Sequence, residues 1–239
     1  DHINLKVRLV DCVGYLVEEA LGHLENDVPR MVSTPWFEEK IPFGEAAEIG
    51  TRKVINEHST IGVVVTTDGS ITDISRNSYE VAEERVIHEM QSTGKPYIIV
   101  LNCVDPQADS TLILKKELET KYSVPVLPVN CALMTIDDIT DVLQMILYEF
   151  PIGEISFYVP DWIVGLDYED TLKESLLEAI AESFTLAEKI RNIKTSSALL
   201  ENYEFIKKTI INVINAGDGS ASIEIIPADE LFYKILSEK

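Results

Sequence analysis

Two short runs, Ile61-Gly62-Val63-Val64-Val65 and Tyr97-Ile98-Ile99-Val100-Leu101, constrain this chain more than any other feature. Each is continuous in apolar, largely β-branched residues and too short for a buried helix. Such a run suits a strand covered on both faces, the environment of a parallel sheet. Parallel neighbours need crossover connections, and the intervening stretches supply them. Residues 44–57, 78–92 and 110–121 carry apolar positions at mixed three- and four-residue spacing. In 137–150 the face is clearest, through Ile139, Val142, Leu143, Ile146, Leu147 and Phe150, with Asp137 and Asp138 at the positive helix end. Residues 5–10 alternate apolar and polar up to Asp11 and are expected as a further strand. Residues 124–129 are expected as another, its prolines suiting a strand end or edge. The order β-α-β-α-β-α-β-α predicts a parallel sheet with right-handed crossovers.

One connection is long. About thirty residues separate Gly14 from the helix near Gly44, where a βα loop usually has about 2–6. With Pro29, Pro35, Trp36, Phe37 and Pro42, this stretch reads either as a surface loop packed by its own aromatics or as a segment that responds to a ligand or partner. After Pro151 the pattern changes. Residues 155–159 and 162–166 read as strands, and one long amphipathic helix runs through Leu172, Leu176, Ile180, Phe184, Ala187 and Ile190. A second helix is expected over about 198–214, stopped by Gly217-Asp218-Gly219, then a strand at 223–226 and a last helix over 228–238. The expected fold class is therefore α/β over residues 1–151, followed by a smaller α+β domain over 152–239.

Charge and cysteine usage bound the partners. A net charge of −21 repels a phosphate backbone and an anionic lipid surface, which argues against nucleic acid and direct membrane binding. Apolar runs fall short of the roughly 18–20 residues that cross a bilayer, so no direct membrane insertion is expected. Cys12, Cys103 and Cys131 are odd in number, with no C-x-x-C pair, and fit a reducing cytoplasm. All three follow predicted strand ends, so a metal or redox cluster competes there with small buried side chains. His2, His23, His58 and His88 lack ligand spacing. A chain opening at Asp1 in mid-pattern reads as a fragment.

In an open α/β sheet ligands bind at the carboxyl ends of the strands. Those ends carry Asp11-Cys12-Val13-Gly14, Thr66-Thr67-Asp68-Gly69, Asn102-Cys103-Val104-Asp105 and Asn130-Cys131-Ala132. A D-x-x-G at such a place suits Mg²⁺ held by Asp11 through water and a γ-phosphate approached by the Gly14 amide. Asn102-x-x-Asp105 matches the GTPase N-K-x-D pattern, in which the Asp reads guanine and the Asn braces the loop. Asn130-Cys131-Ala132 stands where those proteins carry S-A-K. Each motif is weak alone. Their order, with the right strands and helices between, points to a P-loop NTPase of the translation-factor GTPase-like kind, truncated at its N-terminus, whose strand tips at 11, 102 and 130 converge on one nucleotide.

Longer strings carry a closer resemblance. Val7-Arg8-Leu9-Val10-Asp11-Cys12-Val13-Gly14-Tyr15, Thr34-Pro35-Trp36-Phe37-Glu38-Glu39 and the run from Glu45 to Ile55 are joined by Glu57-His58-Ser59-Thr60-Ile61-Gly62-Val63-Val64, which continues into Thr66-Thr67-Asp68-Gly69. In these the chain resembles the stage IV sporulation protein A family of spore-forming Firmicutes, densely to about Pro151 and more loosely beyond. The resemblance implies a cytoplasmic protein on the mother-cell side of the forespore surface that binds and hydrolyses ATP with Mg²⁺. It implies self-association into a homopolymer that founds the spore coat, with other coat morphogenetic proteins and a small amphipathic membrane-anchoring peptide as partners. Asp11 then takes the family's Walker B place and Gly14 its glycine, while the Walker A lysine, switch threonine and C-terminal domain fall outside the chain. The isolated chain is accordingly expected neither to bind nucleotide tightly nor to turn it over.

Two departures bear on mechanism. Cys103 replaces the lysine whose stem would cover guanine, in keeping with ATP, while Asp105 keeps the guanine-reading place. Tyr15 stands where Ras-like enzymes carry the water-orienting Gln. A GTPase-type switch and a non-catalytic scaffold with a degenerate NTPase fold therefore stand beside the ATPase reading.

Overall fold

A computed structural model describes residues 6–17, 19–26 and 28–238. The chain divides into two compact units, Asp1–Ile146 and Leu147–Lys239. In the first, the long connection folds into two antiparallel hairpins, β1 (Leu24–Glu25) with β2 (Val28–Pro29) and β3 (Met31–Thr34) with β4 (Phe37–Pro42). Helix α1 (Phe43–Lys53) follows and runs on into a π-turn, Val54–His58. The Trp36 ring seats against Gly50 of α1, where an added Cβ would lie 3.3 Å from it. The connection is thus ordered by its own hairpins and by an aromatic docked on a small residue.

Beyond it lie β5 (Gly62–Thr67), α2 (Arg76–Thr93), β6 (Tyr97–Asn102), α3 (Asp109–Tyr122), β7 (Val126–Val129) and α4 (Ile136–Tyr148). Among the described residues these strands form a parallel sheet in the order β5-β6-β7. Helix α2 ends at Gly94, which takes the left-handed conformation that stops a helix cleanly. β6 is central, and Tyr97 to Leu101 are each at most 5% exposed. One face joins Val64, Ile99, Leu101 and Val126 to Ile87 and Met90 of α2 and to Leu118 and Tyr122 of α3. The edge strand is less covered: Val63 and Val65 are 42% and 61% exposed, while their register partners Ile98 and Val100 are 0% and 3%.

The strand expected over 5–10 does not form among its described residues. Residue 5 lies outside the described residues, and residues 6–10 form no strand. Lys6 to Val10 are exposed, and a lone extended segment has no ladder in which to place its backbone groups.

The second unit holds β8 (Glu154–Tyr158), α5 (Asp161–Val164), α6 (Thr171–Phe184), α7 (Asn192–Leu200), β9 (Ile206–Asn215), β10 (Ser220–Pro227) and α8 (Asp229–Glu238). Its sheet is mixed, in the order β8-β10-β9, with β10 parallel to β8 and antiparallel to β9. Ile223 and Ile225 are buried at its centre, and Phe157 meets Phe184 edge to face at 5.2 Å. Glu149, with its side chain fully buried, sits between Lys189 at 2.7 Å and Arg191 at 2.9 Å. Backbone bonds from Ile190 to Phe150, Arg191 to Tyr148 and Ile152 to Glu188 clip the same two segments together.

Three expectations for this half are overturned. Residues 162–166 begin as helix α5, because Pro160 opens a turn whose carbonyl accepts the Ile163 and Val164 amides and Gly165 closes it. The long helix expected to reach Ile190 ends at Phe184. The helix expected over 198–214 stops at Leu200, and the β-branched run Thr209, Ile210, Ile211, Val213 and Ile214 becomes β9. Gly217-Asp218-Gly219 is then a hairpin turn rather than a helix stop. Gly219 has φ +73°, and an added Cβ would meet the Pro151 carbonyl at 2.8 Å. Gly219→Ala is expected to cost the second unit about 2 kcal/mol in urea unfolding, with Gly217→Ala, at ordinary φ, much nearer neutral.

Candidate functional site

The carboxyl ends of β5, β6 and β7 lie side by side because the strands are parallel and in register. Thr67 pairs with Asn102, and Asn102 with Val129. The three turns that follow are bonded to one another. Asn102 Oδ1 accepts the Cys131 amide at 3.0 Å, and Asn130 Nδ2 donates to the Val104 carbonyl at 3.0 Å. Asn130 Oδ1 also accepts the Ala132 amide at 3.2 Å, opening the single 3₁₀ turn Cys131–Leu133. Asn102, Asp105, Asn130, Cys131 and Ala132 are thus brought into one group of loops. Asp105 is exposed and accepts the Gln107 amide on Oδ1 at 2.9 Å.

The β5 turn belongs to the same group. Asp68 Oδ1 accepts from the Ser70 amide at 2.9 Å and the Ser70 hydroxyl at 2.5 Å, and Oδ2 accepts from Thr111 of α3 at 3.0 Å. The Ser70 oxygen in turn accepts the Val104 amide at 2.9 Å. Sequence reasoning read Asp68 only as the end of a strand and passed over Ser70 and Thr111. The signal was the D-G-S triplet, a tight Asx-type turn directly after an apolar strand.

Asp11 is placed elsewhere. It is exposed and forms no part of the bonded loops. With Gly14 and Tyr15 it lines a cavity of about 410 Å³ that runs along β5 and is also lined by Thr51, Thr66 and Glu83. Gly14 is fastened to α1: its amide donates to Thr51 Oγ1 at 3.0 Å. Tyr15 does not stand free to orient water. Its hydroxyl donates to Glu89, and Arg85 lies over its ring at 4.3 Å while its two terminal guanidinium nitrogens donate to the Glu48 carboxylate at 2.6 and 2.7 Å. Burial, reinforced by the Glu89 carboxylate, holds the Tyr15 phenol well above its ordinary range, so it is protonated at all physiological pH. Deeper in the unit, Arg76 and Thr66 both bond Glu83, at 2.8 and 2.6 Å, which ties α2 to β5.

The cysteines do not behave as ligands. Cys103 is fully buried with its Sγ toward the Val129 carbonyl, and burial, with Asp68 nearby, pushes its thiol up to about 11. Burial also raises Cys131. Among the described residues no group of three His, Cys, Asp or Glu side chains could hold a metal ion. A nucleotide-borne Mg²⁺ requires less, one carboxylate reaching it through water, and exposed Asp11 has the chemistry for that. Among the same residues no helix is long and apolar enough to cross a membrane.

Residues 1–151 match the family profile described as stage IV sporulation protein A, ATPase domain, and residues 152–239 match its middle domain. The chain belongs to the stage IV sporulation protein A family. It is 46% identical over 239 residues to the stage IV sporulation protein A of Clostridioides difficile, and 44% identical over 238 residues to that of Bacillus subtilis. The matches cover all of this chain but 49% and 48% of those relatives, so the chain spans about half their length. No solved structure matches it.

The raised thiol has a consequence for stability. An unfolded thiol ionises near 9.0, while Cys103 in the fold stays protonated to about 11. Its contribution is therefore full below pH 9 and lost as pH rises towards 11. Urea melts at pH 8 to 11 should show stability falling across that window, with a shallower fall in Cys103→Ala. Alkylation at pH 8 should label exposed Cys12 in the folded chain and reach Cys103 only on unfolding.

Proposed function

We propose that residues 1–151 form the rear of an ATP-binding domain of the P-loop, translation-factor GTPase-like kind. The observation that carries this reading is the bonded group of turns at the carboxyl ends of the parallel strands, where such sheets take their ligands, within a family ATPase domain. Asp105 and the Asn130-Cys131-Ala132 turn face the base and Asn102 braces the two loops; Asp11 would reach Mg²⁺ through water, and the Gly14 amide would exchange its bond to Thr51 for one to the terminal phosphate. Mg²⁺, when bound, would supply charge neutralisation to the phosphates.

The phosphate-binding loop G-x-x-x-x-G-K-[ST] does not occur in these 239 residues and would be supplied by another part of the full-length protein. Among the described residues β5 is an edge strand paired with β6 alone, which supports a further strand on its other edge. Such a strand would stand between β5 and residues 6–10, on the side where Asp11 lies along the cavity. In the full-length protein ATP hydrolysis drives homopolymer assembly at the forespore surface, on the cytoplasmic mother-cell side, as a base for the spore coat. Other coat morphogenetic proteins and a small amphipathic anchoring peptide join it there, since a chain of charge −21 is repelled by anionic lipid. The retained Asp105 carboxylate favours one competing reading, a GTPase-type switch.

Asp11→Ala in the full-length protein tests the proposal. ATP turnover should fall roughly 10²-fold or more, and sedimentable polymer should be lost with it. Normal assembly without turnover would favour a non-catalytic scaffold, and GTP outcompeting ATP would favour the switch. The isolated 239-residue chain should show no Mg²⁺-dependent ATPase activity, lacking the lysine and amides that hold phosphate.

A further inference from the structure

Val104 has its peptide groups held from two sides. Its amide donates to Ser70 Oγ at 2.9 Å, and its carbonyl accepts from Asn130 Nδ2 at 3.0 Å, although the residue itself is 57% exposed. An exposed loop residue needs neither partner, since water would serve both groups. The Ser70 oxygen is free to accept because its own proton is committed to Asp68 Oδ1 at 2.5 Å. Asp68 is fixed in turn by the Ser70 amide and by Thr111, a 1%-exposed residue in the first turn of α3. Gly69 allows the turn to fold back: its φ is +87°, and an added Cβ would lie 2.9 Å from the Arg76 amide. A continuous path therefore leads from buried Thr111 of α3 through Asp68 and Ser70 to the Val104 amide, while the Val104 carbonyl, whose carbon bonds to the Asp105 nitrogen, is held by Asn130.

We propose that Ser70, oriented by Asp68, is a positioning residue for base recognition. It fixes the 102–105 loop so that the free oxygen of the Asp105 carboxylate is presented to a purine. This rests on the reading of that loop as the base seat. The Asp105 carboxylate is anchored on its C-terminal side by the Gln107 amide at 2.9 Å, and Ser70 anchors the chain on its N-terminal side. With both anchors the carboxylate has one direction. Without Ser70 the peptide linking Cys103 to Val104 loses this partner, and Asn130 alone holds the following peptide, the one that leads into Asp105.

The role acts on the base and leaves the phosphates alone, which makes it separable from a stabilising turn. In the full-length protein, binding of ATP and of inorganic tripolyphosphate is measured for Ser70→Ala, Ser70→Thr and Asp105→Ala, alongside thermal unfolding. Ser70→Ala is expected to weaken ATP about fivefold, the scale of one lost neutral hydrogen bond, and to leave tripolyphosphate unchanged. Ser70→Thr keeps the hydroxyl and should restore ATP affinity. If Ser70→Ala matches the parent while Asp105→Ala loses ATP, the positioning role is overturned and the base seat stands. If Ser70→Ala weakens both ligands equally, its role is structural and the proposal falls. If neither Ser70→Ala nor Asp105→Ala changes ATP affinity, the base seat itself falls with it.

Discussion

A strand that is apolar along its whole length has to be covered on both faces and paired on both edges, and β6 is that strand. Its residues from Tyr97 to Leu101 are buried throughout, with β5 and β7 hydrogen-bonded on either side in parallel register. Parallel pairing forces each crossover to return over a face of the sheet, and the large residues of α2 and α3 close one face over Ile99 and Leu101. The same parallel sense puts the ends of all three strands at one end of the sheet. The nearness of Asp68, Asn102 and Asn130 is therefore a consequence of how one buried strand must be packed.

Most of this was legible in the residues. Continuous β-branched runs gave β5 and β6, and the spacing of apolar positions gave α1 to α4 to within a few residues. Asn102 and Asn130 could be picked out because a polar residue directly after an apolar run marks a strand end. What failed depended on partners that a local pattern does not contain. Residues 6–10 have the alternation of a strand but no neighbouring ladder to join. Residues 162–166 have strand-like composition, yet the Pro160 and Gly165 boundaries favour one turn of helix. At 206–215 the positions fit a helical spacing, but β-branched side chains and a hairpin partner in β10 decide for the strand.

Side-chain commitments in the site were the least legible. Tyr15 has the sequence position of a water-orienting residue, but Glu89 and Arg85 of α2 claim it. Cys103 sits inside the Asn102-x-x-Asp105 motif, but its side chain points into the interior, leaving Asp105 as the motif's exposed carboxylate. Charge is handled the same way throughout. Despite the net −21, the buried carboxylates Glu83 and Glu149 each meet a cation, and Asp68 is met by hydroxyls and an amide. Each of these groups is held in one direction, as a site needs and as an unpaired buried charge could not be.

On the proposed reading, the turns after β5, β6 and β7 form one nucleotide-facing surface in the full-length protein. Amide hydrogen exchange with and without Mg²⁺-ATP reads it directly. Protection should rise together at residues 69–70, 103–105 and 131–132. Protection confined to the second unit, with those turns exchanging at the same rate in both states, would contradict it.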